Sequence, residues 1–134
     1  MTEMLTVWVD GWQMECCGES FAVGGVVSWT LLRADPEDYA DVVGAEAARG
    51  IGFREEHHLG HEEGEAVSVE VVAIVEAHCA YAPRPGGGRT YEPVRGSHVL
   101  VPVRRAERWV EERPGSRFVG WLVTARGLVA PSEG

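Results

Sequence analysis

The sequence predicts a mainly β domain: a small five- to six-stranded barrel of the OB or SH3-like kind, with one short helix. Three observations carry the prediction. Short valine-rich segments recur along the chain and are separated by turn residues. Only the stretch after Asp35-Pro36 shows helical spacing. The segment Ala66 to Tyr81 is long and changes its apolar phase part-way, as a bent strand serving both layers of a barrel does. The alternative architecture is an open α+β sheet with the helix packed on one face.

Leu5-Thr6-Val7-Trp8-Val9 alternates and is rich in β formers, so it reads as the first strand, closed by Asp10-Gly11. Trp12 to Gly18 is a loop or short extended piece. Phe21 to Leu32 is the second strand region, broken by Gly24-Gly25. There Val27, Trp29 and Leu31 share one face, while Val26, Ser28, Thr30 and Leu32 share the other. Asp35 can cap a helix, Pro36 fits its first position, and the acids that follow suit the positive helix end. Tyr39, Val42, Val43 and Ala47 then recur at helical spacing, with Gly44 weakening the helix and Gly50 ending it after roughly three turns.

Residues 51–65 are charged and aperiodic, which predicts a surface loop with a short strand at its start. In the next strand Val67, Val69 and Val71 alternate, but Val72 and Ile74 fall out of phase. A β-bulge at Val71-Val72 accounts for the slip, as does burial of both faces. Pro83 to Gly88 forms a tip. Ser97 to Val103 is a further strand, and Pro102 confines its end to a sheet edge. Arg104 to Glu112 reads equally as helix or extended chain. Pro114-Gly115 turns into the last strand, Phe118 to Val123. The whole chain, residues 1–134, is expected to form one domain, with 1–4 and 127–134 frayed.

The composition narrows the function classes. Hydrophobic residues make up 45% of the chain and charged residues 25%, which fits a soluble globular protein. No basic leader and no long apolar run is visible, so no membrane span is expected and the cytoplasm is the default location. The net charge of −9 repels phosphate backbones and disfavours nucleic-acid binding. All 12 basic residues are arginine, a bias that reads as GC-rich coding.

The cassette Trp12-Gln13…Cys16-Cys17-Gly18…Phe21…Trp29, with the later Arg54-Glu55-Glu56-His57-His58-Leu59-Gly60 and His78-Cys79-Ala80-Tyr81, resembles a family of small uncharacterised actinobacterial proteins, a domain of unknown function. The resemblance covers Leu5 to Val123. Gly25 stands where an acidic turn residue is expected in that family. The resemblance implies no activity.

The residues offer two chemistries. Cys16, Cys17, Cys79, His57, His58, His61 and His78 are the ligand types of a tetrahedral zinc site, and His57 and His61 have H-x₃-H spacing. Against this, Cys16 and Cys17 are adjacent and not two to four apart, and packed cysteines with solvated histidines account for the same residues. Cys16 or Cys17 is also a candidate reactive thiol, although Glu15 and Glu19 disfavour a thiolate. Glu55 with His57, and Glu56 with His58, would share strand faces, pairs suited to holding a divalent ion or relaying protons; a solvated charged loop is the blander account and the favoured one. Among the five tryptophans, Trp29 and Trp121 lie in apolar strands and read as core, while Trp12 and Trp109 are the candidate interface anchors. No coherent catalytic set emerges. The leading expectation is a non-enzymatic barrel that binds an unidentified protein partner or forms a homo-oligomer, with zinc binding or thiol chemistry as the alternative.

Overall fold

The computed structural model describes residues 4–11, 20–56, 66–83, 85–86, 90–107 and 109–128. Its elements are β1 (Met4–Asp10), β2 (Phe21–Ala22), β3 (Val26–Arg33), a 3₁₀ turn (Pro36–Asp38), α1 (Ala40–Val43), α2 (Ala45–Ala48), β4 (Phe53–Glu55), β5 (Ala66–Cys79), β6 (Tyr81–Pro83), β7 (Tyr91–Pro93), β8 (Val99–Val103), β9 (Arg105–Ala106) and β10 (Arg117–Gly127). Five of these strands close a ring in the order β10–β1–β4–β3–β5, with β5 pairing back to β10, and β8 adds a sixth strand on β5. The barrel expected from the valine pattern is therefore the fold, and the open-sheet alternative falls. Within the ring β1 and β4 run parallel and the other pairs antiparallel.

β5 organises the barrel because it has neighbours along both edges. β10 follows one edge from Val69 to Cys79. On the other edge β3 pairs with Ala66–Glu70, and β8 takes over at Ile74–His78. The change of neighbour coincides with a bulge: Thr124 faces Ala73 and Ala125 faces Val71, so Val72 is skipped. This is the slip that the valine phase predicted. The Gly24-Gly25 turn pins it, since Gly24 N–H donates to Val71 O at 2.8 Å and Val71 N–H to Gly25 O at 2.9 Å. Gly24 takes φ 91°, a conformation that glycine adopts without a Cβ penalty.

The bulge sets which side chains face inward. Val7, Val9, Trp29, Val69, Val71, Ile74, Trp121, Val123 and Ala125 fill the barrel, and Phe21 enters from the short β2–β9 ribbon. Phe21 meets Trp29 edge-on at 5.1 Å and Trp121 at 6.1 Å, geometries that aromatic quadrupoles favour. Trp8 faces the other way. With Leu122, Ala77 and Cys79 it forms an outer patch that Val42, Val43, Ala48 and Ile51 cover.

That cover is the expected short helix, shorter and more broken than its spacing suggested. Asp35 Oδ1 accepts from Glu37 N–H at 3.0 Å and Pro36 takes the first position, the entry that Asp35-Pro36 predicts. Gly44, at φ 90°, divides α1 from α2. A break is cheap here because burial of Val42, Val43 and Ala48 on the barrel wall, not helix propensity, holds the segment. The ambiguous stretch after Arg104 contains only the two-residue strand β9 among its described residues, and no helix.

Candidate functional site

The bulge turns Ile74, Glu76 and His78 of β5 to the inner side, at the end of the barrel where β8 has replaced β3. His78 is 1% exposed. Its ring lies 5.6 Å from that of Phe118, which in turn packs edge-on against Trp121 at 4.6 Å. His78 Nε2 is 3.0 Å from Glu76 Oε1. A carboxylate only accepts, so Nε2 carries the proton and donates. Nδ1 of the same ring is buried without a hydrogen-bond partner, as is Trp121 Nε1. Burying an indole is worth about 4–6 kcal/mol from roughly 150–250 Å² of area, and an unpaired N–H costs about 1–3 kcal/mol, so the apolar gain keeps Trp121 in place.

Outside this stack lies a cavity of about 440 Å³ whose described lining is Glu76, Glu107 and residues 109–114. Trp109, 70% exposed, forms one wall. Glu76, Glu107, Glu111 and Glu112 contribute carboxylates, and Arg113 is the single cation among the described lining residues. Two of the carboxylates are held from beneath: Glu76 by His78, and Glu112 by the Phe118 N–H at 3.1 Å. Glu107 pairs with Arg105 at 2.6 Å. A second cavity, about 510 Å³, lies by the β6–β7 hairpin, where Asp41 and Arg95 neutralise each other at 2.9 Å.

The chain belongs to a family of unknown function, DUF6578. The family's model matches residues 3–127, nearly the whole chain and every strand of the barrel. Neither a curated protein nor a solved structure matches it. Membership in DUF6578 thus assigns no activity, and the chemistry has to be read from the side chains.

The residues singled out in the sequence are placed unequally. Cys16, Cys17, His57, His58, His61 and Trp12 lie outside the described residues. Cys79 is buried among the outer-patch apolar groups, its Sγ 3.3 Å from Ala80 O and 3.6 Å from Ser97 Oγ. His78 and Cys79 are neighbours on β5 and therefore point to opposite faces, one toward Phe118 and one toward α1. Among the described residues no three His, Cys, Asp or Glu side chains gather as a metal-holding group.

Trp109 does lie at a cleft. Glu55 and Glu56 depart from the solvated loop expected of them: they are 4% and 9% exposed, and Arg54 Nη1 donates to Glu56 Oε2 at 2.9 Å. The reason is that β4, although short, fills the ring between β1 and β3: Glu55 shares the face of Phe53, which packs on the barrel core, while Glu56 shares the opposite face with Arg54. Glu76 and Glu112 were not foreseen. Their signal was the acid-aromatic run Glu107…Trp109…Glu111-Glu112, whose partner on β5 no local pattern could supply. No helix among the described residues is long and apolar enough to cross a membrane.

Proposed function

We propose that this chain is a non-enzymatic cytoplasmic β-barrel module that docks a partner protein at the barrel mouth, through the cleft beside Trp109. The observation that carries this is the exposed indole of Trp109 over a cavity in which the carboxylates of Glu76 and Glu112 are already held in place. Exposed aromatics beside a concave surface are the usual anchors of protein interfaces. His78 has no ring nitrogen open to the cleft, so it positions Glu76 and does not itself meet a ligand.

We read the barrel as OB-like, its ring having the cyclic neighbour order of an OB barrel entered at a different strand. The strands that correspond to the oligonucleotide-binding face are then β10 and β1, and the helical cover over Trp8 and Leu122 occupies their outer side. Together with the net charge of −9, this argues against nucleic acid as the ligand. Zinc or thiol chemistry remains the alternative, on Cys16, Cys17, His57, His58 and His61; elemental analysis of untagged protein tests it.

A photo-crosslinking residue at position 109, compared with one at exposed Glu46 on α2, tests the docking reading in cells. A discrete adduct from 109 alone is expected. No adduct from 109, or the same adduct from both positions, would sink it.

A further inference from the structure

We infer that the cleft takes the guanidinium of an arginine in a basic segment of the partner; this rests on the docking reading above and names the chemistry of the occupant. The described lining of the cleft is acidic, on an already acidic protein, so the complementary ligand is a cation. Its carboxylates are also prepared for one. Glu76 Oε1 accepts a hydrogen bond from His78 Nε2–H and Glu112 Oε2 accepts one from the Phe118 N–H. The second oxygen of each takes no bond from a described residue, and neither does the carboxylate of Glu111.

His78 matters beyond the bond that it gives. It is 1% exposed, its Nδ1 is unpartnered, and it stands directly behind Glu76. The Glu76 carboxylate is therefore held at the cleft by a buried group and does not sweep through solvent, which lowers the ordering cost of binding.

Trp109 selects among cations. An exposed indole face attracts any ammonium or guanidinium, but a planar guanidinium also stacks on it while offering a fork of N–H donors to two carboxylates. Lysine offers a point charge and no plane. The cavity, about 440 Å³, exceeds what one small ammonium ion fills and suits a long side chain with its flanking backbone.

The test uses the intact chain and fluorescently labelled nonapeptides rich in arginine, in lysine or in glutamate. Binding is read by polarisation at low and moderate salt. The arginine peptide should bind most tightly, quench Trp109 and weaken as salt rises. Trp109→Ala should weaken it roughly three- to ten-fold, Trp109→Phe by less, and Glu111→Gln and Glu112→Gln each by a few-fold. Glu46→Gln, on exposed α2, should leave it unchanged.

No binding of the arginine peptide at low salt overturns the proposal. So does binding that Glu46→Gln weakens as much as Glu111→Gln, because the charge attraction is then diffuse. So too does equal affinity for the lysine peptide with no effect of Trp109→Ala. If crosslinking at 109 still captures a partner while the arginine peptide fails, only the cationic occupant falls; a self-adduct at 109 would identify a second copy in its place.

Discussion

Gly120 pairs with Asp10 on the β1–β10 ladder, and the ring of Trp8, its diagonal neighbour, lies over it with no room between them. A Cβ at position 120 would stand 2.7 Å from Trp8 Cζ2 and would also strike the carbonyl oxygen of Val9. The indole is fixed from behind by Tyr39, ring centroids 5.2 Å apart, and from its edge by Asp10, whose Oδ1 accepts from Nε1 at 2.7 Å. Neither backbone nor ring can yield cheaply. Gly120→Ala should therefore cost about 2 kcal/mol or more in urea unfolding. Trp8→Phe in the same chain should recover only part, because the Val9 carbonyl remains.

Gly44 meets a similar limit for a different reason. Its φ of 90° disfavours any Cβ, and a Cβ there would lie 2.8 Å from His98 Cε1 and Nε2. Gly44→Ala should lose roughly 2–3 kcal/mol from backbone strain and overlap together. Adding His98→Ala removes the overlap and leaves the strain. A double-mutant cycle should then show coupling of about 1 kcal/mol; strict additivity would mean that the ring is not the obstacle.

Cys79 should be inert in the native protein. It is 0% exposed beneath α1 and enclosed by apolar side chains, so a reagent has no path to its Sγ. In a chain carrying Cys16→Ser and Cys17→Ser it is the only thiol of the original three. A coloured disulfide reagent should find no thiol before denaturant is added and one afterwards. Fast native labelling would contradict the burial.

Tyr39 gives the stability an alkaline limit. Burial first, then the nearby Asp10 carboxylate, pushes its phenol up from the ordinary 10.0 to about 12, with Arg54 opposing. The folded state thus favours the protonated phenol. Its contribution is complete below pH 10 and is lost as the pH rises through about 12. Thermal midpoints measured across that window should fall more steeply for the wild type than for Tyr39→Phe. Parallel curves would show that the phenol is not coupled to folding.

The barrel was readable because its signals are local. The phase slip at Val71-Val72 announced the bulge, and the Asp35-Pro36 entry announced the helical segment. Pro102 placed β8 at an edge, where it lies. The mouth of the barrel was not readable, because it is made by elements far apart in sequence. Glu76 meets Glu107 and residues 109–114 at the cleft only after the bulge has turned it inward and β8 has displaced β3 beside it. Adjacency misled in the opposite sense: His78 and Cys79 look like one motif and serve two different layers. The short strand expected at the start of 51–65 is β4, but Glu55 and Glu56 still look like loop acids because nothing in their neighbourhood reveals that this strand completes the ring and buries them.

The seam between Val9 and Trp121 joins residues more than a hundred positions apart, and β10 supplies the pairing edge on both of its sides. A ribosome-bound chain that has not yet extruded β10 therefore presents two raw strand edges and an uncovered valine lining. The ring cannot close before its last strand is made, and closure across such non-local pairings is slow and leaves those edges open to aggregation meanwhile.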